Sequence, residues 1–198
     1  DSGLAFQKEG RSDTYDRFRS RITFPICDLN GEVVGFTGRI FEIGSPSIDS
    51  GQAAPAKYIN TPQTQVYDKS KILYGLNKAK TEIKTNNRCV LVEGNMDMLM
   101  SYQAGVKNVI ASSGTALTPS HLKLLQRYTN SLSFCFDTDQ AGAMAIKRGI
   151  GLALQNNFNI NVININDKEC KDPADYVKKY PQKWAQVVSE SKPVVEYY

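Results

Sequence analysis

From residue 88 onward the chain alternates between short apolar runs and longer stretches with helical spacing. Cys89, Val90, Leu91 and Val92 form an apolar run between polar flanks, the pattern of a strand buried on both faces. Residues 109–111, 132–136 and 160–165 repeat that grammar. The intervening segments predict helices over 96–103, 118–127, 141–155 and 175–179. Gly105 closes the first of these; Thr118 caps the second, with Pro119 at its first position. Repeated strand–helix units predict a parallel sheet with helices on its faces.

The first half follows a different rhythm. Residues 1–13 are polar, with Gly3 and Gly10, and read as a leading loop. In the following YDRFRSRITFPI, Arg17, Arg19 and Arg21 recur with period two, which puts them on one face of an extended strand. Asp28-Leu29-Asn30-Gly31 is a turn signal, and residues 32–41 return as a second strand with Arg39 near its end, so a hairpin is expected. Residues 43–56 are rich in Gly, Ser, Pro and Ala and predict a loop. A short strand-like stretch follows at 57–62, and Ile72, Leu73, Leu76, Ala79 and Ile83 predict a helix over 72–84. The expected organisation is a mixed α+β basic lobe at 1–85, an α/β lobe at 86–180, and the start of a helical region at 181–198. The chain, which starts at Asp1, reads as an excised fragment of something longer.

Bulk numbers change this picture little. The chain has 198 residues, 41% hydrophobic and 22% charged, ordinary values for a globular protein. The net charge of +4 permits a polyanionic partner without requiring one. Four cysteines without a C-x-x-C pair, and the single His121, argue against zinc. Unpaired cysteines suit a reducing cytoplasm, and no segment is apolar for long enough to span a membrane.

The chemistry lies just past the strand ends. Glu93 follows the first apolar run, with Asp97 four residues on; Asp137 and Asp139 follow the third; Asp172 and Asp175 follow the fourth. Open parallel sheets bind ligands at the carboxyl ends of their strands. Carboxylates gathered there repel one another by about 4 kcal/mol per close pair at an effective dielectric of 20. Hard divalent cations with oxygen ligands relieve that repulsion. Each acid also precedes a helix, where a carboxylate caps the N-terminus; three strand ends together favour a metal site over three caps. Ser112, Ser113, Gly114 and Thr115 form either a phosphate-cradling loop or a simple strand-to-helix turn. His121 reads as structural or solvated. Arg17, Arg19, Arg21, Arg39, Lys57, Tyr58, Asn60 and Lys69 are the candidates for nucleic-acid or nucleotide contact, cations for phosphates and Tyr58 for stacking on a base.

Glu93-Gly94-Asn95-Met96-Asp97, the Asp137-Thr138-Asp139 pair and Asp172-Pro173 together resemble the Toprim signature of topoisomerases and bacterial primases. YDRFRSRITFPI, the GFTGR run at 35–39, KYINTP and ILYGL resemble the catalytic core of bacterial DnaG-type DNA primases. The resemblance implies a Toprim-type parallel sheet flanked by helices. It implies a DNA-templated RNA polymerase that makes short RNA primers from NTPs on single-stranded DNA. It places two or more Mg²⁺ or Mn²⁺ ions on Glu93, Asp97, Asp137, Asp139 and Asp172, with Glu93, Asp137 and Asp139 catalytic. It also matches Arg39, Lys57, Tyr58, Asn60 and Lys69 to a basic groove. Where the family often reads Asp-Pro-Asp, this chain has Ala174, with Asp175 one residue later. A replicative helicase would be met through regions outside this chain, and the setting would be the bacterial cytoplasm. The competing readings are a Toprim nuclease or topoisomerase piece and a non-catalytic nucleic-acid-binding module.

Overall fold

The structure is a computed structural model that describes residues 3–7, 10, 13–41, 56–135, 140–167 and 169–196, with residues 140–146 as backbone only. It divides into two compact units, Asp1–Asp68 and Lys69–Tyr198. The division falls after Asp68, where the hydrophobic spacing suggests a boundary near Thr85, because the helix after Gly75 packs on a strand of the second unit.

In the first unit, β1 (Ala5–Gln7) pairs antiparallel with β2 (Thr14–Asp16), making a small ribbon whose first strand lies where the sequence suggests only a loop. β3 (Arg21–Cys27), β4 (Val33–Ile40) and β5 (Tyr58–Asn60) form an antiparallel sheet in that order. The expected hairpin joins β3 to β4: Asp28 Oδ1 accepts from the N–H groups of Asn30 at 2.8 Å and Glu32 at 2.9 Å, and Gly31 takes a φ of 94°, which glycine adopts without strain. The single strand read through Arg17, Arg19 and Arg21 is interrupted. Residues 17–20 turn, Ser20 has φ 54°, and Asp16 Oδ1 accepts the Phe18 N–H at 2.9 Å. Only Arg21 lies on a strand, so period two does not relate the three arginines. The loop expected at 43–56 falls outside the described residues, Ala56 excepted.

The second unit is built on a five-stranded sheet. Its strands are β6 (Cys89–Val92), β7 (Val109–Ala111), β8 (Ser131–Cys135), β9 (Asn159–Val162) and β10 (Lys192–Pro193). The spatial order is β10-β9-β8-β6-β7, parallel except for the β10 edge. All four residues of β6 are buried, as the continuous apolar run requires of a central strand. The helices are α1 (Leu76–Thr85), α2 (Asn95–Gln103), α3 (Pro119–Leu125), α4 (Gln140–Gln155), α5 (Pro173–Lys179) and α6 (Trp184–Ser189). α1 starts four residues later than the apolar spacing suggests. Gly75, at φ 83°, ends a segment in which Tyr74 exchanges two backbone hydrogen bonds of 3.0 Å with Ala111 at the β7 edge. Trp184 is fully buried against Tyr176, with ring centroids 5.9 Å apart, and belongs to the core.

Connectivity creates the crevice. From β6 the chain moves through α2 to β7 on one side, then through α3 back across to β8 on the other. The strand order therefore reverses between β6 and β8, a topological switch point whose carboxyl edge is the expected ligand position.

Candidate functional site

Glu93 is the first residue beyond β6 and so stands at that switch point. Val92, before it, is paired in register with Cys135, the last residue of β8. Asp137 and Asp139 lie outside the described residues. Gly94 then takes an extended conformation and opens α2. Its N–H donates to Asp97 Oδ2 at 3.0 Å, and a Cβ at this position would come within 2.7 Å of that same oxygen. Glycine is thus required by the close approach of the Asp97 carboxylate.

Asp97 is buried, and its other oxygen reaches across the fold. Oδ1 accepts the backbone N–H of Ala174 at 3.0 Å, a contact spanning 77 residues. One carboxylate thereby joins the first turns of α2 and α5, the two helix ends most favourable to an anion. Asp172 caps α5, with Oδ1 accepting from the Asp175 N–H at 2.7 Å, and Pro173 sits at the first helical position. Asp175 is exposed, and its Oδ2 accepts from the Lys171 N–H at 3.4 Å. The backbone bonds of Asp97 bring the start of α5, which Asp172 caps, to the loop that follows Glu93.

The loop after β7 is a turn rather than a set of open donors. The N–H groups of Ser112, Ser113 and Thr115 go to the carbonyls of Val92, Glu93 and Ser112. This ties residues 112 and 113 beside Glu93. Two oxygens in this neighbourhood, Asn95 Oδ1 and Ser113 Oγ, are buried without a hydrogen-bond partner. A buried amide oxygen left unpaired is costly, and an oxygen-rich edge with such atoms suits a hard divalent cation or its water ligands. Among the described residues no three His, Cys, Asp or Glu side chains converge closely enough to hold a metal unaided.

Electrostatics around α5 support its position. Asp167 is held below the usual carboxylate range, first by the Glu169 N–H and then by Lys179. Lys179 is raised by its hydrogen bond to Glu169 and by further contacts with Tyr180 and Asp167. Burial pushes the Cys89 thiol up, away from thiolate chemistry.

The basic candidates fall in both units. In the first, the Arg17 Nε donates to the Asn60 carbonyl at 3.1 Å. Arg39 is paired in register with both Ile22 and Tyr58. Arg21 gathers the strand ends, donating to the carbonyls of Gly38 at 3.2 Å, Lys57 at 3.3 Å and Ala56 at 2.8 Å. These contacts bring Arg17, Arg21, Arg39, Lys57, Tyr58 and Asn60 together along β4 and β5. Asn60 Oδ1 is buried there without a hydrogen-bond partner. Arg19 is exposed, with its guanidinium 5.5 Å from the Tyr15 ring centroid. Lys69 belongs to the second unit. His121, left open between structural and solvated by the sequence, is fully buried and bonded to the backbone of Lys69. Its place beside Lys69 depends on tertiary contact, and no local motif signals it.

Residues 1–80 match the model of the DNA primase catalytic core, N-terminal domain, and residues 90–177 match the Toprim-like model. The chain is 37% identical over 200 residues to a DNA primase of Clostridium acetobutylicum, covering all of this chain and 31% of that protein. It spans about a third of the length of the curated relatives it matches. The crystal structure of a DNA primase domain from Pseudomonas aeruginosa superposes with a TM-score of 0.84 at 32% identity, over 100% of this chain and 59% of that one. A DnaG primase catalytic domain bound to ssDNA superposes with a TM-score of 0.80 at 32% identity, over 98% of this chain and 57% of that one.

Proposed function

The chain belongs to the DNA primase family, and on that premise we propose that it is the RNA-polymerase core of a bacterial primase, which joins ribonucleotides into short RNA primers on a single-stranded DNA template. The observation that carries the reading is the Asp97 carboxylate, which ties the Glu93 loop to the Asp172 segment at the switch point of a parallel sheet.

The reaction is attack of a nucleotide 3′-hydroxyl on the α-phosphate of an incoming NTP, with pyrophosphate as leaving group. Glu93, Asp97, Asp137, Asp139 and Asp172, with Asp175 beside them, would hold two or more Mg²⁺ or Mn²⁺ ions. The chemistry such ions supply when bound is activation of the hydroxyl and neutralisation of the phosphate charge. The chain's own residues provide the frame. Glu93 presents a carboxylate on the rigid end of β6, where it can also accept the hydroxyl proton. Asp97 keeps the two acidic loops together. Ser112 and Ser113, bonded to the Val92 and Glu93 carbonyls, fix the backbone that carries Glu93. Arg17, Arg19, Arg21, Arg39, Lys57, Tyr58, Asn60 and Lys69 hold template and nucleotide. Their cationic members make that binding fall with salt. The likeness to a primase domain bound to ssDNA supports this assignment.

A replicative helicase would be engaged through parts of the whole protein beyond this chain, and the setting would be the bacterial cytoplasm. Among the described residues, no helix is long and apolar enough to cross a membrane. The test is a crystal of this chain soaked with Mn²⁺ and an NTP. Metal density on Glu93 and the 137–139 segment is expected; density elsewhere overturns the site. A chain that binds no Mn²⁺ and makes no primer, and whose nucleic-acid binding survives Asp137→Ala and Asp139→Ala, would instead be a non-catalytic binding module.

A further inference from the structure

Lys69 is the first residue of the second unit, and its backbone is clamped by a pair of side chains from a distant helix. The His121 ring, fully buried at the start of α3, places Nε2 3.0 Å from the Lys69 carbonyl across 52 residues of sequence. Thr118 Oγ1 donates to the next carbonyl, that of Ser70, at 2.7 Å. The same two residues bind each other: the His121 N–H donates to Thr118 Oγ1 at 3.1 Å, and the Thr118 N–H donates to His121 Nδ1 at 3.3 Å. With Nδ1 accepting, the ring proton lies on Nε2, so the imidazole is neutral and donates to Lys69. Five residues beyond Lys69, Tyr74 is held at the β7 edge by two backbone bonds to Ala111. The segment 69–74 is therefore fixed at both ends to the body that carries the acidic crevice. No salt bridge engages the Lys69 ammonium among the described residues.

We propose that His121, with Thr118, is a positioning residue for Lys69, clamping its backbone so that its ammonium stands at a set place relative to the crevice for a nucleic-acid or nucleotide phosphate. This rests on the reading of Lys69 as a phosphate contact. His121 touches no substrate; it acts by removing the freedom of the residue that does. A clamped lysine spends less conformational entropy on binding than one on a free loop.

The test is a double-mutant cycle on Lys69→Ala and His121→Phe in the full chain, read by anisotropy of a fluorescein-labelled single-stranded oligodeoxynucleotide. Phenylalanine fills the buried volume and removes both ring hydrogen bonds. Each single variant is expected to weaken binding by about fivefold, the scale of one lost polar contact. The double variant is expected to bind no more weakly than Lys69→Ala alone. His121→Gln, whose amide can still donate to the Lys69 carbonyl, is expected to recover most of the affinity. Should His121→Phe fail to fold, Thr118→Val enters the same cycle. Additive losses would overturn the positioning role while leaving Lys69 a contact. Unchanged binding by Lys69→Ala would overturn the reading of Lys69 itself, and the clamp's purpose with it.

Discussion

Replacing Asp97 by alanine removes one carboxylate and two constraints together, one local and one long-range. In the folded chain its oxygens accept the N–H groups of Gly94 and Ala174, both at 3.0 Å, and the residue is only 5% exposed. Hydrogen bonds to a charged acceptor contribute about 1.5–3 kcal/mol each, so the pair bounds the loss at about 3–6 kcal/mol. Water entering the vacated space recovers part of this, leaving an expected destabilisation of about 3 kcal/mol. That corresponds to a fall in Tm of about 10 °C for a protein of this size. Asparagine keeps one acceptor and turns an amide NH₂ toward the other N–H, so Asp97→Asn is expected to cost about 2 kcal/mol. The assay is urea unfolding of the metal-free protein in EDTA, followed through Trp184, the single tryptophan, which is buried in the same unit. Glu93→Gln is the contrast: it relieves charge repulsion and leaves metal-free stability unchanged or higher. If metal-free Asp97→Ala unfolds within about 0.5 kcal/mol of the parent, the carboxylate does not hold the two loops together.

Two further outcomes follow from other parts of the second unit. Arg88 donates to Ser133 Oγ at 2.8 Å, to Ser191 Oγ at 2.9 Å and to the Val188 carbonyl, tying the end of α6 to β8. Arg88→Met keeps the aliphatic stem and should cost about 2–3 kcal/mol in urea unfolding, with Arg88→Lys recovering little because an ammonium cannot reproduce the forked geometry. A loss below that of an ordinary surface change would show that these bonds carry no stability. The lowered Asp167 carboxyl gives the same unit an acid limb. Its contribution is complete above the unfolded aspartate value of about 3.9 and is lost as pH falls through the lower folded value. The raised Lys179 stays charged throughout that window. A pH series of Tm should therefore slope downward in acid, and Asp167→Asn should flatten the slope; an unchanged slope removes Asp167 from the explanation.

The α/β half was largely legible because its signals are local. Four buried residues in a row mark β6, and Thr118-Pro119 and Asp172-Pro173 mark helix starts that the structure reproduces. The first half was less so. Alternating arginines read as one strand, but the Asp16 side chain and the left-handed Ser20 turn the chain between β2 and β3. Arg17 reaches Asn60 through a contact across 43 residues, and no periodicity encodes a contact of that kind. Helix α1 starts late for a similar reason: the backbone of Tyr74 is engaged by β7, so apolar spacing from Ile72 continues through a segment that is not helical.

By itself the sequence determined the central strand and helix starts of the α/β half, the position of Glu93 just past β6, and the family resemblance that those motifs carry. These follow from side-chain period, capping chemistry and short spacing, all of which act over a few residues. The tertiary structure decided what the acids and their neighbours do for one another. It joined Asp97 to Ala174, whose side chain lacks the acid but whose backbone N–H takes one of the carboxylate's bonds. It buried His121 against Lys69 and placed the division between units at Asp68. Those outcomes depend on which distant backbone groups are left needing a partner once the sheet has formed, and that is settled only when the chain is packed.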